Sequence, residues 1–486
     1  MKIAKGPFTV SPIYNLHFSI LNFQFSLRSL ASSSKRLLNN RRPTASFTGT
    51  TAPRFIRAVG LFGLIAIAVN GVIGSGIFVL PATVASLLGP ASPAAYIVAA
   101  LLIALIVLCF AEAGSMFDRS GGPYLYAREA FGSFIGLEVG WMFLLSRLAA
   151  TSAIANAFTA YLGYFWPALG NGTGRAIAQT VLLWGLAWLN LVGVKYGSWT
   201  VNVLTVVKIL PLLLFVFVGF FFVDGTRYQI LVLPDVGPLR QAALALIFAF
   251  GGFENASVPT EEVKNPTRNL PIALIASIAA TALLYIAIQI VALGTLPGLS
   301  NDSTPLASAA RMFLGPAGAA IITVGAVLST LGSDSAVILV GPRILYALAE
   351  GGQLPRMLAR VHPRYRTPHV AVIVFALAAW VIALFGNFAQ LVTVSAIARL
   401  LFSATTCLAV PVLRRKMPDA PRAFRVPGGV VIPAFAVVIS IWLLMGVSRD
   451  QAIAGAIALL AGVVLYVIFR RTTRNLNHTD KAAEKP

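Results

Sequence analysis

The chain has 486 residues, of which 58% are hydrophobic and only 11% are charged. Because soluble domains carry about 25% charged residues, this composition excludes an ordinary soluble protein and predicts one embedded in a lipid bilayer. The formal net charge of +21 would suit nucleic-acid binding in a soluble protein. Here, however, the basic residues lie in short segments between apolar runs, and we predict no nucleic-acid partner.

A basic tail, residues 1–55, precedes the first apolar run. Residues 1–52 contain lysines and arginines but no acidic residue, and the stretch 16–30 is too polar for the apolar region of a secretory signal peptide. The simplest interpretation is a disordered cytoplasmic tail, or an extension upstream of the native start. A surface amphipathic segment is the alternative.

Apolar runs long enough to cross a bilayer follow this tail. We number them spans 1 to 12, and they cover residues 59–88, 92–117, 136–163, 175–194, 199–223, 240–259, 270–296, 316–349, 370–386, 390–413, 430–447 and 451–470. Basic residues concentrate after spans 8, 10 and 12, whereas the loops after spans 5, 7 and 9 carry few of them. The loop after span 2, 118–135, departs from this pattern because its acidic residues offset its arginines. By the positive-inside rule, both termini are predicted to be cytoplasmic.

Span 1 contains a run that disfavours helix in its middle, from Asn70 to Gly76, and span 6 repeats this feature at Gly251 and Gly252, beside Glu254. A helix broken at bilayer depth exposes N–H and C=O groups that lipid cannot satisfy. Paired interruptions in corresponding halves indicate an inverted-repeat transporter with a site near the midplane. Close packing of helices at glycines is the alternative, but it explains both interruptions together poorly.

Five stretches resemble amino-acid permeases of the amino acid–polyamine–organocation (APC) superfamily. They are GVIGSGIFVLP at 71–81, GGPYLYAREAFG at 121–132, EEVKNPTRNLP at 261–271, GPRILYALAEGGQLPRMLARVHPRYRTP at 341–368 and FRVPGGVVIP at 424–433. One departure is Asp118-Arg119, where many relatives have a Pro-containing turn, and it affects only the local loop.

The resemblance implies an all-α integral membrane protein with a leucine-transporter-like 5+5 inverted repeat and broken helices 1 and 6. The transport core would be 56–413, with repeats at about 56–225 and 238–413, followed by peripheral spans 11 and 12 in 414–470 and a cytoplasmic tail, 471–486. It also implies alternating access and a zwitterionic amino-acid substrate, with no cofactor. We expect a multi-pass protein of the bacterial inner membrane, whose oligomeric state the sequence does not reveal.

An amino acid needs partners for its carboxylate and its ammonium, because unpaired charges are costly to bury. The N–H groups at the start of the second half of span 1, from Ser75, Gly76 and Ile77, are predicted to bind the carboxylate. Free carbonyls where the first half-helices end are predicted to bind the ammonium. These ends lie near Val72 and Ile73 in span 1, and near Ala249 and Phe250 in span 6. Gly74, Gly251, Gly252 and Glu254 beside them complete the predicted substrate site.

The aromatic side chains of Phe250 and Phe253 could close over the substrate as an apolar lid. Ordinary helix packing is the alternative for each of them.

Lys208 is a charged residue inside span 5. In some proton-coupled permeases of this superfamily a lysine in helix 5 resembles a substitute for the second sodium ion, and we assign that role to Lys208 by resemblance. Snorkelling to the interface is the alternative. Asp334 and Ser335 in span 8 are further candidates for proton coupling. Asp334 could pair with Lys208 or bind Na⁺ directly, and these mechanisms compete.

Arg147 in span 3 and Arg399 in span 10 also fall near mid-depth. They could be balanced by Glu254 and Asp334 if Lys208 is neutral, which would leave little negative charge for a cationic substrate. This charge count favours neutral amino acids first, acidic ones second, and cationic amino acids or polyamines third. Glu254 is the counter-argument, since its carboxylate could recognise a cationic side chain.

No enzyme motif lies within the spans. HExxH, GxSxG and metal-ligand spacings are absent from them, and GVIGSG lacks the Lys-Ser/Thr of a P-loop. We therefore predict a secondary transporter and not an enzyme or an ATP-driven pump, with no metal. Proton coupling is the first prediction, amino-acid or polyamine exchange and Na⁺ symport are alternatives, and a sensor that binds amino acids without moving them is a third class.

Overall fold

The computed structural model describes residues 59–117, 121–192, 197–228, 234–258, 260 and 263–483. The predictions for the tail 1–55 and for the Asp118-Arg119 turn lie outside these residues. Within them the chain is helical, and its only strand-like pairing is an isolated bridge between Val59 and Val263. The predicted all-α class is confirmed.

Every predicted span corresponds to a helix or a pair of half-helices. The helices are Leu61–Val72, Gly76–Leu88, Ser92–Ser115, Gly122–Phe131, Ser133–Phe165, Pro167–Gly170, Gly172–Val192, Gly197–Gly219, Val236–Ala249, Pro266–Thr295, Pro305–Glu350, His369–Phe385, Phe388–Lys416, Val431–Leu444 and Arg449–Ala483. In the part of the chain that the structure describes, nine helical runs are long and apolar enough to cross a membrane. The first half of span 1, span 9 and span 11 are apolar helices of shorter length.

Three segments predicted as loops contain helices, and one of these helices is the single turn Pro167–Gly170 between spans 3 and 4. Gly122–Phe131 lies between spans 2 and 3, and span 8 begins at Pro305 in place of residue 316. Its long helix is interrupted at Gly315, where φ is +65° and ψ is −160°, so that the added stretch 305–314 is a separate helix. Glycine tolerates this left-handed backbone because it has no Cβ.

The halves of the two broken spans pair crosswise. The first half of span 1, Leu61–Val72, packs against the short 3₁₀ turn Phe253–Ser257 in span 6, while Val236–Ala249 packs against Gly76–Leu88. This exchange of partners is the arrangement expected where two broken helices of an inverted repeat cross. Spans 2, 5, 7, 8 and 10 pack around the pair, and span 3 reaches it through the side chain of Arg147. Spans 11 and 12 lie against spans 2, 3 and 10.

Candidate substrate site

The first half of span 1 ends at Val72, and the second half begins at Gly76. The first N–H groups of a helix have no partner within it, so those of Gly76–Leu88 face the gap. Ser75 is only 1% exposed, and its hydroxyl has no hydrogen-bond partner among the described residues. This end of the gap therefore presents donors suited to an anion.

Glycines allow the two interruptions to touch. A Cβ on Gly71 would lie 2.5 Å from the carbonyl oxygen of Gly252, and one on Gly76 would lie 2.7 Å from Cα of Ala249. Gly252 has φ of +111°, and a Cβ there would overlap the Gly71 carbonyl. Only glycine at these positions lets the broken spans cross at this distance.

Gly252→Ala should therefore abolish substrate binding and lower thermal stability, because alanine meets both a left-handed backbone and a fixed carbonyl. The control is Gly185→Ala in span 4, where an added Cβ meets nothing within 4 Å. Binding and melting temperature, measured on both purified variants, check this expectation. Wild-type behaviour of Gly252→Ala would contradict the crossing described above.

The space between the interruptions is a cavity of about 30 Å³, with room for one or two water molecules. Its wall includes Val72, Gly74, Ser75, Gly76, Ala249, Gly251, Gly252, Arg147 and Arg399 from the predicted set, together with Gly71, Ala150, Ile154, Phe248, Ser333 and Val337. Ile73 and Ile77 do not line it. The cavity is smaller than any amino acid, so this conformation is closed.

Phe250 and Phe253 do not line the cavity, and the predicted lid is not formed in this conformation. Both are fully buried, Phe250 with its ring centroid 5.2 Å from that of Tyr285 and Phe253 at 5.2 Å from Phe110. They are packing residues because the broken backbone turns both rings into the surrounding helices. Phe248, two residues before Phe250, is the aromatic residue of span 6 that lines the cavity.

Tyr285 in span 7 bridges the two interruptions and was not predicted. Its hydroxyl lies 3.0 Å from the carbonyl oxygen of Val72 and 3.3 Å from that of Ala249. These are two of the carbonyls expected to bind the substrate ammonium, so in the closed conformation the tyrosine satisfies them. A hydroxyl inside an apolar span was the only sequence signal.

The ammonium of Lys208 caps the end of the first half of span 1. Its Nζ atom donates to the carbonyl oxygens of Ile73 at 2.6 Å and Asn70 at 3.0 Å, and lies 3.2 Å from Oγ of Ser333. The side chain is fully buried, which excludes the snorkelling alternative for this conformation. The amine of span 5 therefore contacts both the interruption of span 1 and Ser333 of span 8.

Ser335 does not share this contact. It is exposed on its helix, about 200° around the axis from Ser333 at 100° per residue, and in this conformation Ser333 is the serine that contacts Lys208. Asp334 is fully buried with neither carboxylate oxygen hydrogen-bonded among the described residues, and Thr151 is its polar neighbour. The ion pair between Asp334 and Lys208 left open by the sequence is not formed.

Arg147 and Arg399, which line the cavity, form a buried ion network with Glu254, which does not line it. Nη2 of Arg147 lies 2.7 Å from Oε1 of Glu254, and Nη2 of Arg399 lies 3.4 Å from the same oxygen. The other carboxylate oxygen accepts the N–H of Gly252 at 2.9 Å, and Nη1 of Arg147 donates to Asn255 at 3.2 Å. One carboxylate thus serves two arginines, and Asp334 balances neither.

Residues 59–469 match the family model described as "Amino acid permease". The chain belongs to this amino acid permease family. It is therefore a multi-pass membrane transporter and not an enzyme, and the resemblance drawn from its sequence motifs is confirmed.

Curated relatives of the permease include three from Bacillus subtilis (strain 168). The branched-chain amino acid permease BcaP is 31% identical over 87% of this chain and 94% of its own length. The methylthioribose transporter is 30% identical over 87% and 95%, and the serine/threonine exchanger SteT is 28% identical over 84% and 94%. The similarity covers nearly the whole of each protein, while their printed substrates differ from one another.

A larger groove of about 310 Å³ lies between spans 5 and 8. Its lining residues, which include Val207, Pro211 and Leu328, are all apolar. It offers no partner for the charges of an amino acid, so the small cavity at the interruptions is the better candidate for the substrate.

Proposed function

We propose that this permease is a secondary active transporter that moves amino acids across the membrane by alternating access, driven by protons. The observation that carries the proposal is the contact between the buried amine of Lys208 and the carbonyls at the interruption of span 1. It joins a titratable group to the element that also lines the candidate substrate cavity.

Substrate recognition uses the ends of the half-helices. The N–H groups of Ser75, Gly76 and Ile77, with the free Ser75 hydroxyl, bind the α-carboxylate of the substrate. The carbonyls of Val72 and Ala249 bind its ammonium, which takes the place of the Tyr285 hydroxyl when the cavity opens. An incoming substrate therefore exchanges one set of donors for another and leaves no buried carbonyl unpaired.

Proton coupling follows from the position of Lys208. When it is protonated, its charge and donors hold the carbonyls of Asn70 and Ile73 to spans 5 and 8. Loss of the proton removes the charge and weakens these bonds, which frees the first half of span 1 to move. Asp334, buried without a cationic partner, is a second group that can carry a proton in this conformation.

Sodium coupling is the less favoured mechanism. Two carbonyls and a hydroxyl are hard oxygen ligands that suit Na⁺, but the ammonium of Lys208 already lies against them. The same region cannot hold both cations at these distances without strong repulsion. We further propose that both termini are cytoplasmic and that the membrane is the bacterial inner membrane, as the arginine-rich loops indicate.

Uptake of labelled amino acids by purified protein in proteoliposomes tests the function. We expect accumulation driven by an imposed pH gradient, with the lumen alkaline, and no requirement for Na⁺. Uptake only against a preloaded amino acid would indicate exchange, the second candidate, which the exchanger relative SteT favours. A strict Na⁺ requirement would overturn the role of Lys208, and binding without accumulation would overturn transport.

A further inference from the structure

We propose that the transported amino acid carries a second carboxylate in its side chain, which Arg399 binds with support from Arg147. This inference rests on the proposed function, because it names the substrate class of the same cavity. The structure thereby favours acidic amino acids over the neutral ones that the charge count placed first.

The guanidinium of Arg399 lies inside the interruption of span 6. A Cβ built on Gly251 would overlap its Nη1 and Cζ atoms, so the arginine occupies the space that a side chain at residue 251 would fill. Arg399 also lines the cavity and is only 2% exposed. A charged donor from span 10 is therefore aimed at the place where the substrate side chain would lie.

Several N–H donors of the Arg399 and Arg147 guanidinium groups are not used in hydrogen bonds to the described residues. Nε and Nη1 of Arg399 and Nε of Arg147 are buried without a hydrogen-bond partner among the described residues. Leaving the buried donors of a charged group unpaired is unfavourable, because these N–H groups have lost their water without gaining another partner. A planar carboxylate is the ligand whose geometry matches the free edge of a guanidinium.

The charges around the cavity point in the same direction. Two guanidinium groups share the single carboxylate of Glu254, which leaves one positive charge in excess. Asp334 contributes no ion pair to them, and the ammonium of Lys208 contacts only neutral oxygens. A buried excess charge is costly, and an anionic substrate group removes that cost on binding.

The placement of an acidic amino acid follows from these anchors. Its α-carboxylate and ammonium bind the ends of the half-helices, as for any amino acid. Its side-chain carboxylate then reaches Gly251, where the missing Cβ leaves room for Arg399. An amide of the same shape would present an NH₂ group to the guanidinium at one of its two positions, placing donor against donor.

Competition against uptake in proteoliposomes tests the inference, using L-glutamate and L-aspartate beside their uncharged isosteres L-glutamine and L-asparagine. We expect one of the acids to compete at least 10-fold better than its amide. Arg399→Gln should remove most of this preference, by a loss of acid affinity with little change for the amide. Thermal stabilisation of the detergent-solubilised wild type and variant by the same compounds gives a second readout, independent of transport.

The outcomes separate this inference from the proposed function. Uptake of neutral or cationic amino acids, with the acids competing no better than their amides, would overturn the acidic side chain and leave transport intact. Equal losses for acid and amide in Arg399→Gln would assign the arginine to the α-carboxylate and also overturn it. If no amino acid of any class is bound or accumulated, the proposed function itself fails.

Discussion

Replacing Lys208 by alanine should abolish proton-driven uptake, seen as a fall of at least 10-fold in the uptake rate. Weak substrate binding or exchange should persist. The alanine removes the amine that joins the Asn70 and Ile73 carbonyls to span 5, so protonation at this position no longer changes how the first half of span 1 is held. The substrate anchors at Ser75 to Ile77 and at the Arg399 guanidinium are untouched. Uptake at several external pH values, beside equilibrium binding, measures both effects.

The matched control lies on the same helix. Val206 is 57% exposed, and Val206→Ala should keep wild-type uptake and pH dependence, which shows that loss in Lys208→Ala does not come from disturbing span 5 in general. Lys208→Ala with unchanged uptake at every pH would contradict proton coupling through this amine. A variant that gains dependence on Na⁺ would instead agree with it, since the vacated oxygens suit that ion.

The spans were predictable because a single property, apolar length, determines them. The interruptions were predictable because glycine has low helix propensity, and the half-helix ends at Val72 and Ala249 fall where the sequence placed them. The helices in 122–131 and 305–314 were missed, since neither is long enough to cross a bilayer. The length of an apolar run therefore identifies the helices that cross the membrane, but it does not identify the short helices beside them.

The details of the site depended on rotation around each helix, which sequence does not reveal. Ser333, Asp334 and Ser335 are consecutive and polar, and each points about 100° from the next, so only the packed structure distinguishes the one that meets Lys208. Hydropathy cannot assign such a face when span 8 is mostly apolar all round. The role of Tyr285 was missed for the same reason, because its hydroxyl has meaning only where two interruptions meet.

The substrate order depended on a charge count without distances. Counting two acids against two arginines predicts neutrality. In the structure, however, both arginines form ion pairs with Glu254, and Asp334 pairs with neither of them. Electrostatic compensation falls off with separation, so an acid that forms no ion pair with either arginine does not neutralise them locally. The excess positive charge at the cavity, invisible to composition, is what shifts the expected substrate class.

Glu254→Gln should cause a large loss of stability, because it leaves two buried guanidinium groups without a counter-ion. Breaking a buried pair by removing one partner costs about 3–5 kcal/mol, and here one carboxylate serves both arginines at 2.7 and 3.4 Å. The substitution keeps the size of the side chain, so a loss reports on charge and not on a cavity. We expect a fall in the melting temperature of the detergent-solubilised protein, together with loss of substrate binding.

An exposed carboxylate provides the control. Asp224 pairs with Arg227 at 3.3 Å, and their side chains are 45% and 31% exposed. A hydrogen bond from the Thr226 side chain lowers the pKa of Asp224 below its ordinary value, so the carboxylate is charged at neutral pH. Asp224→Asn should leave the melting temperature unchanged, because exposed pairs contribute little. Similar melting temperatures for Glu254→Gln and Asp224→Asn would contradict the shared counter-ion.

Pairing the change with a second one separates charge from packing. Glu254→Gln combined with Arg399→Gln removes one positive charge along with the negative one, and should melt above the Glu254→Gln single variant, since only Arg147 is then unpaired. Substrate binding should not return with the stability, because Arg399 is the proposed ligand of the side-chain carboxylate. If the double variant recovered both stability and substrate binding, Arg399 would have only a structural role. Recovery of stability without substrate binding is the outcome that agrees with its role in the cavity.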